Sequence, residues 1–178
     1  MNRTQLRFEN LQQVVGSNDM SIVLLTDMQR KNALTVMCDE MMTKQILMRL
    51  TGSGVCKTSL PEVLAGMMPS DYELMVFGVH HGQYQVVLVD VKSGQSARLN
   101  MCDAVLMHII AHTPFYIEEG LMMRQSVPFD ENASGITIPI NTMDTRRLEV
   151  VLKQAVADEN YELASKVRDE INRRNERD

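Results

Sequence analysis

The chain has 178 residues, 44% of them hydrophobic, which suits one domain of ordinary size plus a small appendage. Its formal net charge of -5 argues against broad, nonspecific attraction to nucleic acid and leaves only a local basic groove open. The Met1-Asn2-Arg3-Thr4 start has no apolar core, no run approaches membrane-spanning length, and Cys38, Cys56 and Cys102 are isolated, so a cytoplasmic, disulfide-free protein with no membrane partner is expected.

Residues 4–14, 20–27 and 32–37 read as strands, the last after an Arg30-Lys31-Asn32 turn. Met41 to Leu50 reads as a helix ended by Gly52-Ser53-Gly54, and the helix of Pro61 to Met68 opens on a proline that a first turn accepts. Tyr72–Val79, Gln83–Val91 and Gln95–Leu99 follow as strands, with His81-Gly82 and Ser93-Gly94 as hairpin turns. Cys102 to Ala111 is an almost wholly apolar helix, Pro114 to Ile117 a short strand and Glu118 to Arg124 a short helix. Residues 126–147 read as a connector with a β-like Ile136–Ile140 piece, and the methionine content, 15 residues, suits either flexible core filling or an adaptable apolar interface. The fold class is α+β: a mixed, largely antiparallel sheet with packed helices, then a C-terminal α-helical hairpin. The expected divisions are a body at 1–125, a connector at 126–145 and the hairpin at 146–178.

The hairpin carries two apolar stripes. Leu148, Leu152 and Ala155 make one; Tyr161, Ala164, Val167 and Ile171 make the other. Asp158-Glu159-Asn160 suits the tight turn between them, and Asp144 or Thr145 can cap the first helix. The spaced Leu, the aromatic-Glu-x-Ala of Tyr161 to Ala164 and the Arg168-Asp169-x-Ile171 ending closely resemble the UVR motif, the helical hairpin of the UvrB and UvrC repair proteins. That resemblance implies a docking device, with Tyr161, Ala164, Val167, Arg168 and Ile171 meeting a protein partner. Glu162–Lys166 and Asp169–Arg173 have ion-pair spacing, and the mixed charges read as a solvated helix surface, not a DNA-binding arm.

The body offers several polar candidates. Asp103 is either a site carboxylate or a first-turn helix residue favoured by the dipole. Glu118 and Glu119 are either a carboxylate pair near Asp103 or, again, dipole complements. Cys102 sits at a helix start, where a thiolate is stabilised, but without a base it reads as a small buried residue. His108 and His112 share a face with zincin spacing but lack the Glu that follows the first His, so core or interface roles are favoured. His80 and His81, adjacent on a strand, are expected to point to opposite faces.

Residues 97–104 (Ala-Arg-Leu-Asn-Met-Cys-Asp-Ala) and 114–119 (Pro-Phe-Tyr-Ile-Glu-Glu), with the order of elements over 20–123, resemble the bifunctional nuclease domain. That family reads near Ile-Asp-Ala-Arg-Pro-Ser-Asp-Ala and Pro-Ile-Tyr-Val-x-Glu-Glu at these places. Here Asn100-Met101-Cys102 replaces its Arg-Pro-Ser, and Lys57 to Glu62 replaces its upstream Arg-Pro-Leu-Thr-His-Asp. The resemblance implies hydrolysis of DNA or RNA phosphodiester bonds, Asp103 first among the catalytic residues with Glu118 and Glu119 behind it, and a divalent cation such as Mg or Mn. The rival expectation is a non-catalytic homo-oligomer whose hairpin docks a DNA-repair or proteolysis partner.

Overall fold

The computed structural model describes residues 2–13, 20–52, 57–68, 71–131 and 138–176. The Ser53-Gly54 stop, Cys56 and residues 136 and 137 of the β-like piece at 136–140 lie outside the described residues.

Two antiparallel meanders and two short strands build the sheet. The first meander is β1 (Arg3–Gln13), β2 (Met20–Asp27) and β3 (Asn32–Asp39). Asp27 shapes the β2–β3 turn by accepting the backbone N–H groups of Lys31 at 2.9 Å and Asn32 at 3.0 Å. The register of β1 shifts between Phe8 and Asn10, a bulge at Glu9. The Glu9 carboxylate accepts from Thr26 Oγ1 at 3.1 Å and from the Arg30 guanidinium at 2.7 Å. The second meander is β4 (Tyr72–His80), β5 (Gln83–Asp90) and β6 (Ser96–Leu99). Its first turn has positive φ at both central residues, 49° at His81 and 78° at Gly82, as a two-residue type I′ hairpin requires.

β7 (Phe115–Glu118) joins the halves, antiparallel to β1 and parallel to β4. With β8 (Val127–Pro128) paired to β3, the eight strands run in the order β6-β5-β4-β7-β1-β2-β3-β8. The helices are α1 (Glu40–Leu50), α2 (Leu60–Met67), α3 (Met101–Ala111), α4 (Glu119–Gln125), α5 (Thr145–Ala157) and α6 (Tyr161–Asn175), with a 3-10 turn at Ile140–Thr142 before α5. None is long and apolar enough to cross a membrane.

Strand alternation decides where the core lies. Leu6, Val23, Leu25, Leu34, Val36, Leu74, Val76, Val86, Phe115 and Ile117 are buried together with Ile46 of α1, Ala104, Val105 and Leu106 of α3, and Leu121 and Met122 of α4. The opposite face of β2 and β3 holds a smaller cluster of Ile22, Leu24 and Ala33, packed by Val127, Phe129 and Ile138. The start and end of the expected connector therefore work as covering structure: the segment adds β8 to the sheet edge and lays apolar side chains on its second face. α3, apolar over most of its surface, packs against the sheet and against α1 and α2.

Candidate functional site

Asn100 caps α3 by accepting the Asp103 backbone N–H at 2.8 Å, and its side-chain amide donates to the Asp103 carboxylate. This is a reciprocal first-turn capping pair, with Asp103 exposed. Glu118 ends β7 half-buried, before α4 begins. Glu119 opens α4, exposed, and its backbone N–H donates to Asn2 O at 3.1 Å. Among the described residues no three or more His, Cys, Asp and Glu side chains gather to hold a metal ion, so Asp103, Glu118 and Glu119 are not brought together as a cation site.

The histidines are occupied otherwise. His108 uses both ring nitrogens: Nδ1 lies 2.8 Å from Thr113 O, and Nε2 accepts the Phe8 backbone N–H at 3.4 Å. Burial pushes its pKa below the ordinary histidine value, outweighing the Thr113 hydrogen bond. The ring is thus a neutral bracket between α3, β1 and the α3–β7 loop. His112 takes the left-handed C-cap position of α3. His80 and His81 do not diverge as expected. The left-handed backbone at His81 swings its ring back, and the two ring centroids lie 4.0 Å apart.

A cleft of about 640 Å³ opens where the end of β3, the strands β5 and β6, the start of α3 and the segment before α5 meet. Met37, Asp39, Tyr84, Arg98, Cys102 and Asp144 are among its lining. The Tyr84 hydroxyl and Thr35 Oγ1, both buried, have no hydrogen-bond partner there. Burial raises the Tyr84 phenol's pKa. Cys102, on the cleft's wall, brings its sulfur to 3.4 Å from that of Cys38 in the core behind it, and Cys102 Sγ lies 3.5 Å from Met37 O. Isolated in sequence, 64 residues apart, they gave no signal; only pairing of β3 with α3 across the core unites them.

Thr142 and Asp144, in the segment that leads into the hairpin, line the cleft on its far side. Asp144 caps α5 by accepting the Arg147 N–H at 2.9 Å, and Asn160 caps α6 by accepting the Leu163 N–H at 3.1 Å. α5 packs on α6, and the buried apolar side chains of the pair are Leu148, Ala155, Ala164 and Val167. The expected partner stripe is therefore divided: Ala164 and Val167 are inside, Ile171 is half-buried, and Tyr161 and Arg168 are exposed. Val150 and Val156 of α5 join Tyr161 as exposed apolar side chains.

Two ionic features differ from the spacing rules. Glu162 pairs with Lys166 at 2.6 Å as expected, but Arg173 turns to Glu170 at 2.7 Å instead of Asp169. Arg174, expected on a solvated face, is only 4% exposed. It donates to Met143 O at 2.8 Å, Asn141 O at 3.3 Å and Glu170 at 2.8 Å, so carbonyls left open beside the 3-10 turn draw it inward. Burial alone would raise the pKa of Glu170, but hydrogen bonds from Arg174 and Arg173 hold it below the usual value. Against the body, Arg147 reaches Met37 Sδ, and a Cβ at Gly82 would overlap the Met143 carbonyl. His80, His81, Glu170 and Arg173 line a small gap of about 40 Å³ at this seam.

Residues 146–175 match the family model described as the UvrB/uvrC motif. No curated protein matches the chain. The resemblance of residues 20–123 to the bifunctional nuclease domain gains no support from these comparisons.

Proposed function

We propose, from the match of residues 146–175 to the UvrB/uvrC motif, that the chain acts by docking a protein partner through its C-terminal hairpin. One observation carries the reading. The hairpin satisfies its inner side with Leu148, Ala155, Ala164, Val167 and Arg174, yet leaves Val150, Val156 and Tyr161 exposed on its outside. An amphipathic helix pair with apolar side chains left outside suits a partner that is itself helical. In this reading Tyr161 and Arg168 touch the partner, while Ala164, Val167 and Ile171 hold the helices in the geometry that presents them.

The test is titration of synthetic hairpins of the UvrB/uvrC type, labelled with a fluorophore, into the purified chain. Saturable binding that Tyr161→Glu and Val156→Glu each weaken at least tenfold supports docking. Absence of binding to any such hairpin at high micromolar concentration refutes it.

A second copy of the chain is a further partner in this reading, through a different surface. Met41, Leu47, Leu60, Val63, Leu64 and Met67 of α1 and α2 are all exposed apolar side chains. Sedimentation should show a dimer or larger species that Leu60→Lys together with Met67→Lys returns to monomer.

Phosphodiester hydrolysis is the alternative activity, and it rests on the resemblance at residues 97–104 and 114–119. Asp103 would act from the start of α3, with Glu118 and Glu119 acting separately and a nucleic acid as substrate. Cleavage of DNA or RNA in Mg²⁺ or Mn²⁺ that Asp103→Asn abolishes would establish it. Cleavage unchanged in Asp103→Asn, or none at all, would remove it.

A further inference from the structure

We infer that Cys38 and Cys102 are an oxidation site, a thiol pair that a small hydroperoxide converts to a reversible disulfide. The sulfurs are already in contact at 3.4 Å, against about 2.05 Å in a disulfide, so closure needs only a small shift of the start of α3. The two cysteines are unequal. Cys38 is 1% exposed in the core on β3, whereas Cys102 is half-buried and lines the open cleft. Only Cys102 can meet a molecule from solvent. It also lies in the first turn of α3, where the free N–H groups and the helix dipole favour a thiolate. The hydrogen bond from Cys38 lowers the pKa of Cys102, and the same contact, with burial, raises that of Cys38.

The chemistry follows from that asymmetry. The Cys102 thiolate attacks one oxygen of hydrogen peroxide; the O–O bond breaks, the second oxygen leaves as hydroxide and takes a proton to become water, and sulfur is oxidised to a sulfenic acid. This removes the negative charge that kept Cys38 protonated. The Cys38 sulfur then attacks Cys102 Sγ; the S–O bond breaks, and the departing hydroxide takes the Cys38 proton as a second water. Two thiols and one peroxide give one disulfide and two waters. Met37 lies between this pair and the hairpin, because its carbonyl faces Cys102 Sγ and its sulfur meets Arg147. The disulfide would therefore form beneath the hairpin's seat.

The test uses the full chain carrying Cys56→Ser, so that only the pair remains. Stoichiometric hydrogen peroxide should remove both thiols, lower the intact mass by two hydrogens and link the Cys38 and Cys102 peptides, all reversed by dithiothreitol. In Cys38→Ser a dimedone adduct should appear at Cys102. Retention of both thiols under peroxide that consumes free N-acetylcysteine would overturn the inference. So would dimedone labelling of Cys38 in place of Cys102, over-oxidation of Cys102 with Cys38 still free, or a disulfide only between chains.

Discussion

Gly82 answers to two constraints at once: a φ of 78°, and a backbone carbonyl, Met143 O, where its Cβ would stand. Gly82→Ala should cost about 2 kcal/mol or more, from strain plus displacement of the segment before α5. Calorimetry should show the lowered melting temperature, and limited proteolysis should cut faster near Met143. Only the first constraint was legible in the sequence, where His81-Gly82 marks a turn but nothing marks the carbonyl above it. His108 makes stability depend on pH. The folded chain holds the ring neutral with a lowered pKa, while the unfolded chain binds a proton near pH 6.5. Its contribution to stability is therefore complete above about pH 6.5 and is lost as pH falls toward the lower folded value. Urea midpoints measured from pH 8 to pH 5 should decline, and His108→Gln, which keeps a donor and an acceptor without titrating, should lose this part of the decline. An unaltered pH slope in the variant would show that other groups govern it. Spacing on α3 favoured a core or interface role for this ring, but its partners, the Phe8 N–H and the Thr113 carbonyl, come from β1 and a loop, beyond the reach of helical periodicity.

At the scale of elements, apolar runs bounded by turn, glycine and proline signals located the strands of the two meanders and the helices α1 to α4 to within about two residues. Val105, fully buried on α3, shows why: a helix so apolar has no stable place except between the sheet and α1 and α2. Val105→Asp should abolish cooperative folding, because an unpaired charge would be placed in the core. Soluble protein with an unchanged melting curve would contradict this. Val167 is also fully buried, but inside the hairpin. Val167→Asp should melt α5 and α6 alone, reducing helical circular dichroism while the body's transition persists. Other features depend on contacts that spacing does not encode. The bulge that aims Glu9 at Thr26 and Arg30 needs β2 alongside β1 to be seen. Arg174 looked solvated because the carbonyls it fills lie more than thirty residues earlier, at Asn141 and Met143. The carboxylates fared similarly: Asp103 was legible as a first-turn residue, and its Asn100 partner needed only local geometry, but no local pattern could say that Asp103, Glu118 and Glu119 would not converge.

For the whole molecule, no residue of α5 or α6 belongs to either apolar cluster of the body among the described residues. Removing residues 146–178 should therefore leave a body that unfolds cooperatively, while binding of helical hairpins disappears. Circular dichroism melting would show the first, and a body that cannot fold alone would show that the hairpin's seat is structural. The seam itself, with Glu170 held ionised by Arg173 and Arg174, should loosen as acid protonates that carboxylate below its ordinary pKa. Each meander can zip up from neighbours in sequence, but in the sheet's backbone ladder the two halves are joined by the four residues Phe115–Glu118, laid between β1 and β4. β1 cannot be joined to β4 until the chain has been made past residue 118, so the order of synthesis leaves the N-terminal sheet waiting with both edges open, β1 for β7 and β3 for β8. Pulse-labelled hydrogen exchange during refolding should protect β2 and β5 before β7, with β7 closing last like a keystone.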